Sequence, residues 1–426
     1  MTLKSFLGLV DERSLLTRVS RPVDVRYELA AVAGQLGEKP VLFSEVKGHS
    51  MPVAANVCAS RKLVCLGLSV SPGELVPRMI QAIDHPVEPE VGQAEGYEER
   101  PADLSALPIL TYYPQDGGPY IASGIIFCQD RELGLNASYH RAMVIGEDRL
   151  ALRILPRHLH EYMNRGLTEF AFCIGNTIPV LVGAAMSVEL EKSELAIANA
   201  LHHTEAVKLE GHLIPQSELV LICEFTGEQA DEGPFLDLTE TFDIVRKQPV
   251  ARVKKVFARP DSVYHALLPG GPEHKILMGM PREPTIFREV SRYCDCLDVR
   301  ITPGGCSWLH AAVKIRKHDG FDGRRAIEAA FAGHSSMKHV FVVDEDIDID
   351  DPHALEWALA TRFQGDRDLV VRPGEKGSSL DPSADPETRE TTKLGFDLTI
   401  PAGGAPEKFL RPEPPVKVDL EDYLEN

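Results

Sequence analysis

Asn136-Ala-Ser-Tyr-His-Arg141-Ala-Met-Val-Ile-Gly-Glu-Asp-Arg149-Leu-Ala-Leu-Arg153-Ile-Leu-Pro156-Arg-His158 is the stretch whose reading decides the fold. Two alternating runs, 136–145 and 149–155, flank the turn signal Gly146-Glu147-Asp148, so the segment predicts a β-hairpin. A strand period of two places Asn136, Ser138 and His140 on one face and Tyr139 and Arg141 on the other. Pro156 suits the first turn of a helix running to about Gly166. One short unit therefore offers an amide oxygen, two guanidinium groups (Arg141 and Arg153), an imidazole and a helix N-terminus. The plain alternative is an amphipathic hairpin with a polar outer face.

Working outward, short β-like runs dominate from Leu107 to about Ile301: 120–129, 133–145, 149–155, 169–174, 178–187, 205–213, 218–225, 250–258 and 276–280. That density of strands and turns predicts a barrel or sandwich. One helix interrupts it, Glu194–Leu201, with Ser193 as its cap. Upstream, Leu3–Leu9, Val25–Leu36 and Glu74–Ile83 read as helices, and Val41–Phe43, Met51–Ala55 and Lys62–Leu66 as strands. Residues 84–105, rich in Pro and Glu, read as a linker. Downstream come a strand at 308–316, a helix at 323–332, a strand at 339–343 and a helix from Pro352 to Phe363. This is a βαβ-like unit. The Pro- and charge-rich tail after about 400 is expected to wrap a neighbour or move freely.

A chain of 426 residues exceeds one core and predicts two or three domains, drawn here at 1–105, 106–303 and 304–426. Sixty-four acidic against 45 basic side chains give a net charge of −19, which argues against nucleic acid or an anionic membrane as partner. No apolar run is long enough for a membrane span, and Met1-Thr2-Leu3-Lys4-Ser5-Phe6 lacks the apolar core of a secretory leader. Eight scattered cysteines fit reduced, buried thiols in a cytoplasmic protein. Cys294 and Cys296 with Cys306 lack a fourth ligand at zinc spacing.

Several motifs carry chemistry. Asn136, His158 and Glu194 offer an O, N, O donor set suited to Mn²⁺ or Mg²⁺ beside a phosphate. Glu232-Gly-Pro-Phe-Leu-Asp237 sets two carboxylates around a Gly-Pro turn, and two acids in different environments can divide ion pairing from proton donation. An acidic surface loop is the plain alternative. The acidic run Asp344–Asp351 has Ile349 where a calcium loop needs Gly, so it reads as a solvated rim. P-loop and nucleophile-elbow motifs do not occur.

Taken together, Asn136-Ala-Ser-Tyr-His-Arg141, Leu150-Ala-Leu-Arg153 and His158 resemble the cofactor segment of the UbiD-type decarboxylases. Ser193-Glu194 resembles that family's metal-ligand helix, Pro215-Gln-Ser-Glu218 its Pro-Ala-x-x-Glu strand, and Glu232-Gly-Pro-Phe its catalytic loop. Thr361–Leu369, Gly377–Asp381 and Thr392–Asp397 resemble its C-terminal signatures, and the motifs keep the family's order to about residue 400. The likeness extends to the family's shorter archaeal-type and furan-dicarboxylate-type members.

The resemblance implies an α/β multidomain carboxy-lyase. It would have an N-terminal α/β domain, a central split β-barrel that binds flavin and a C-terminal α/β oligomerisation domain. It implies prenylated FMN, Mn²⁺ (or Mg²⁺) held by Asn136, His158 and Glu194, and K⁺ near Ala184–Met186. Ser138, Tyr139, His140, Arg141, Arg153, Ile154, Leu155, Arg157, His158 and Lys393 would contact the cofactor. Arg141 would hold the substrate carboxylate, Glu232 would orient it, and Asp237 would deliver the proton that replaces CO₂. The implied reaction is reversible, non-oxidative decarboxylation of an α,β-unsaturated or (hetero)aromatic acid, with furan-2,5-dicarboxylate and anhydromevalonate 5-phosphate among the options. A flavin prenyltransferase would supply the cofactor to a homodimer or homohexamer. Departures from the pattern are Asp237 for a Glu, Leu236 for a Gly, and one extra residue before His158, which leaves His160 as the alternative ligand. For a second substrate anion, Arg300, His310 and Lys314 are the candidates. An FMN oxidoreductase and a non-catalytic assembly subunit are the competing readings.

Overall fold

The computed structural model describes residues 2–412 and, beyond them, 415, 416, 418, 419 and 423; the expectation for the tail falls partly outside these. Its α/β architecture rests on three principal sheets. In the first, Thr17–Val19 runs parallel to Val41–Phe43, which pairs antiparallel with Val53–Ala55. A fourth strand, Tyr264–Ala266, arrives from far along the chain and pairs parallel with Val53–Ala55. Helices Leu3–Glu12, Glu28–Leu36, Arg61–Leu68 and Leu75–Asp84 complete this unit.

The central sheet has nine strands built around the long antiparallel pair Leu219–Glu232 and Arg246–Ala258. Its ladder is open rather than closed on itself among the described residues. The expected linker is stitched into the sheets: Val91–Gln93 pairs with Ala206–Leu209, and Glu98–Arg100 with the end of Arg246–Ala258.

The third sheet orders Asp295–Ile301, His310–Arg316, His339–Val343, Glu390–Asp397 and Leu369–Lys376, parallel at its centre and antiparallel at its edges. Alternation along His310–Arg316 feeds two cores. Ala311, Val313 and Ile315 meet helices Glu283–Ser291 and Asp322–Gly333, while Ala312 meets helix Pro352–Arg362 on the other face. The final strand pair escaped the sequence reading.

Three expected strands are helices. Lys62–Leu66 lies in Arg61–Leu68, capped by Ser60 through Leu63 N at 3.4 Å. The run 178–187 holds helix Ile178–Gly183, and 276–280 falls at the end of Pro272–Gly279 and the following 3-10 turn. Each is a short apolar run, which periodicity alone assigns to either state. The helix expected from Pro156 begins at His158, because Arg157 keeps an extended backbone. The acidic run is no free rim either. Asp344 and Asp346 hold the fully buried guanidinium of Arg362, and Asp350 holds Arg300.

All eight cysteines are free, and burial pushes the Cys294 and Cys296 thiols up to about 11 and about 12. Both stay protonated, which disfavours a thiolate site. Among the described residues no single helix is long and apolar enough to cross a membrane, although the bent pair Arg61–Leu68 and Pro72–Asp84 passes on length and composition together.

Candidate active site between the central and C-terminal sheets

The hairpin that opens the sequence argument is broken where its chemistry sits. Gly134–Tyr139 pairs with Ile125–Asp130, and only after His140-Arg141 does Ala142–Val144 pair with Arg149–Leu152. Strict alternation predicted opposite faces for the two residue sets. The break instead brings the whole run Asn136–Arg141 to the wall of one cavity of about 330 Å³.

The near end of the cavity is ordered by a hydrogen-bond relay. His140 Nδ1 faces the carbonyl of Arg153 at 3.0 Å, which can only accept, so Nδ1 carries the proton. Nε2 then accepts from the Ser138 hydroxyl at 3.0 Å, and Ser138 Oγ accepts from Asn136 Nδ2 at 3.1 Å. Burial holds the His140 imidazole down to about 4, against the opposing pull of the Arg153 carbonyl, so it stays neutral.

The relay fixes which way the Asn136 amide points. Its Oδ1 is buried without a partner, and Asn136 lines the cavity together with His158 and Glu194. His158 Nδ1 lies 3.8 Å from Glu194 Oε1, and Glu194 Oε2 accepts from Ala137 N at 2.9 Å. An orphaned amide oxygen, an imidazole and a carboxylate oxygen fit a hard divalent cation. His160 does not compete, because it is exposed and bonded to Asn164.

Arg141 organises the middle. Its side chain is 10% exposed, and Glu232, its bidentate partner, is fully buried. Nε and Nη2 of Arg141 donate to the two Glu232 oxygens at 2.8 and 3.1 Å. Nη1 donates to Asp237 at 3.0 Å, and Nη2 also donates to Asp243 at 3.0 Å. Tyr120 donates to Glu232 at 3.1 Å, and the guanidinium carbon lies 4.8 Å from the centre of the Phe235 ring. Burial works against the Arg141 charge, but the three carboxylates outweigh it and raise its pKa. Glu232 is placed by a close backbone approach. Gly117 N donates to Pro234 O at 2.9 Å, and a Cβ on Gly117 would lie 2.2 Å from Gly233 O.

The rest of the lining comes from elsewhere in the chain. His274, Leu277, Met278 and Arg282 line it from one side, and Trp308, Ser336 and Ser378–Leu380 from the C-terminal unit. Arg282 Nε is buried without a partner, and burial, then Arg157, pushes the guanidinium down to about 10. His274 Nδ1 accepts from Gly270 N at 3.1 Å, which leaves its other nitrogen as the donor. The segment carrying these groups is clamped at both ends. Glu273 receives Cys58 N at 3.2 Å and His265 Nε2 at 3.0 Å, and Glu283 receives Arg61 at 2.7 Å and Ile301 N at 3.2 Å.

Ser138, Tyr139, Arg153, Leu155 and Arg157 line the cavity as expected, whereas Ile154 does not, its N–H being bonded to Gln248. Lys393 also lies behind the wall, donating to Ser335 O at 2.6 Å beside the lining Ser336. Arg300 and His310 are corrected: they line a separate cavity of about 610 Å³, Arg300 is spent on Asp298 and Asp350, and Lys314 lines neither cavity. Asp243, Arg246, His274 and Arg282 were missed.

Family models described as the N-terminal, Rift-related and C-terminal domains of 3-octaprenyl-4-hydroxybenzoate carboxy-lyase match residues 7–83, 85–272 and 275–398. An anhydromevalonate phosphate decarboxylase of Methanothermobacter thermautotrophicus is 42% identical over 96% of this chain and 99% of its own. One from Methanocaldococcus jannaschii is 39% identical over 92% and 96%. The UbiD-class enzyme HmfF from Pelotomaculum thermopropionicum, solved with FMN, superposes with a TM-score of 0.96 at 34% identity over the full length of both chains. An evolved dimeric form of it with prFMN gives 0.90 at 32% identity, over 99% of this chain and 100% of that one.

Proposed function

The chain belongs to the UbiD family of carboxy-lyases, and from that premise we propose that it decarboxylates, reversibly and without net oxidation, an unsaturated acid of the anhydromevalonate phosphate type. The observation that carries the reading is Arg141 saddled between buried Glu232 and Asp237 at the cavity wall. Loss of CO₂ leaves an electron pair on carbon, and a bound prenylated FMN supplies the electron sink for it. Arg141 binds the departing carboxylate through its Nη1/Nη2 edge. Glu232, held by both oxygens and by Tyr120, fixes the plane of that guanidinium. Asp237 delivers the proton to the carbon that has lost CO₂. Three carboxylates face Arg141, Arg153 and Arg246 across this end of the site.

Asn136, His158 and Glu194 would hold Mn²⁺ (or Mg²⁺), and K⁺ would sit near Ala184–Met186. The orphaned Asn136 Oδ1 supports the first assignment. Ser138, Tyr139, His140, Arg153, Leu155 and Arg157, which line the cavity, would contact the flavin, with Lys393 behind them. The second substrate anion meets Arg282, which lines the cavity and whose buried Nε has no protein partner, with Arg157 nearby. The protein works as a cytoplasmic homodimer or larger homo-oligomer and draws its cofactor from a flavin prenyltransferase.

The test is co-expression with a flavin prenyltransferase, anaerobic purification, and mass spectrometry with a visible spectrum. Anhydromevalonate 5-phosphate and furan-2,5-dicarboxylate are then offered in parallel and CO₂ release is followed. Bound prenylated FMN, lost in Asn136→Ala and Glu194→Ala, with turnover of the phosphorylated acid, is the expected result. Plain FMN with a hydride-donor requirement moves the oxidoreductase reading ahead, and a folded protein that binds no flavin moves the assembly reading ahead.

A further inference from the structure

Arg141 carries five N–H groups, and their distribution leaves little for a ligand. The Nε/Nη2 edge is closed by the two oxygens of Glu232. The opposite edge, Nη1/Nη2, is bridged by two separate acids, Asp237 on Nη1 and Asp243 on Nη2, each at 3.0 Å. Nη2 therefore has no N–H left for a substrate carboxylate until Asp243 moves, because Glu232 takes its other one. Asp237 has no second cation among its bonds, only the N–H of Leu238. Asp243 has two. Its Oδ1 receives Arg246 Nη1 at 2.5 Å, and its Oδ2 lies 3.8 Å from Arg153 Nε.

The backbone agrees. Asp243 sits at the end of a two-residue ladder, Phe235–Leu236 with Phe242–Asp243, and the next two residues, Ile244 and Val245, are 65% and 48% exposed. Glu232, by contrast, is fully buried and tied to Tyr120.

We infer that Asp243 is an internal competitor for the substrate carboxylate: it cedes Arg141 to the incoming acid, keeps Arg246 as its partner, and so sets the affinity for acids. The inference rests on the reading that Arg141 holds the departing carboxylate, not on the identity of the second anion. Asp243 touches no reacting atom in this scheme and acts through Arg141, as a positioning residue. Arg246 becomes its resting partner, which gives the pair opposite signs in a binding assay.

The experiment is calorimetric titration of the purified holoenzyme with two unreactive probes, 3-methylbutanoate (a carboxylate alone) and 3-methylbutyl phosphate (a phosphate alone). Asp243→Asn should bind 3-methylbutanoate about fivefold tighter, the worth of one competing ion pair. Binding of 3-methylbutyl phosphate should not change. Arg246→Gln, which leaves Asp243 only Arg141 and Arg153, should weaken 3-methylbutanoate by a similar factor, and the double variant should return toward the tighter value. If folded Asp243→Asn binds 3-methylbutanoate no better than wild type, or if Arg246→Gln has no effect, the competitor role is overturned. Should Asp243→Asn not fold, Arg246→Gln and Asp243→Ser decide in the same way. Failure of the phosphate reading shows separately, as wild-type protein that does not bind 3-methylbutyl phosphate while the carboxylate effect persists.

Discussion

Replacing His140 with Gln should flatten the acid limb of the stability profile. The imidazole is held down to about 4 in the fold, against an ordinary value of 6.5. In the unfolded chain it takes up a proton between these values, and in the fold it cannot. Stability is therefore complete above about pH 6.5 and falls as the pH drops toward 4. A gap from 6.5 to about 4 corresponds to about 3 kcal/mol at full development, and most of that is reached by about pH 4.5. Protonation would also make Nε2 a donor to the Ser138 hydroxyl, reversing that bond of the relay. The assay is urea unfolding of wild type and His140→Gln at neutral pH and near 4.5. His334 and His310, also held low by burial, titrate in both proteins and cancel in the comparison. The variant should lose roughly 2–3 kcal/mol less than wild type on acidification. Parallel losses in the two proteins would refute the argument that His140 is confined as a neutral donor to Arg153.

Other substitutions separate the roles along the cavity. Arg141→Lys trades a planar fork for a point charge and should lower kcat/KM about a hundredfold or more while the melting temperature stays within a few degrees. In Glu194→Gln, metal analysis of the purified protein should find Mn²⁺ reduced at least tenfold in affinity, with the helix still formed because Ser193 caps it independently. Arg282→Ala should raise KM for the phosphorylated acid about tenfold and leave a monoacid unaffected, the pattern expected of binding that is uniform along the reaction. Arg300→Ala should leave KM without any selective change and cost only about 1 kcal/mol of stability, because Asp298 and Asp350 are 35% and 55% exposed and regain water.

Much of this site was legible in the sequence. Asn136, Ser138 and His140 alternate on a strand, and they do form a continuous hydrogen-bonded line. Arg141, Glu232 and Asp237, up to 96 residues apart, meet where the order of motifs suggested. The α/β architecture followed from the same order. What escaped was of two kinds. Buried apolar runs such as 178–187 look alike as helix or strand, since burial on all sides removes the period. Asp243, Arg246, His274 and Arg282 carry no spacing signature, because their roles arise only where separate elements meet at the cavity. Arg300 and His310 misled for the converse reason. A cation beside a glycine turn looks available until its partner, Asp350, comes from 50 residues on.

The clamp on residues 272–283 has a bearing on how this protein can be taken apart. Cys58 and Arg61 from the first unit close on Glu273 and Glu283, while Tyr264–Ala266 is laced into the first sheet. Removing residues before about 84 would strand two buried carboxylates and unpair a strand, with the cavity-lining residues 274–282 lying between those carboxylates. A chimera that swaps this N-terminal portion between relatives must therefore carry the 264–283 segment with it. In sequence the two are distant; as a transferable part they are one piece.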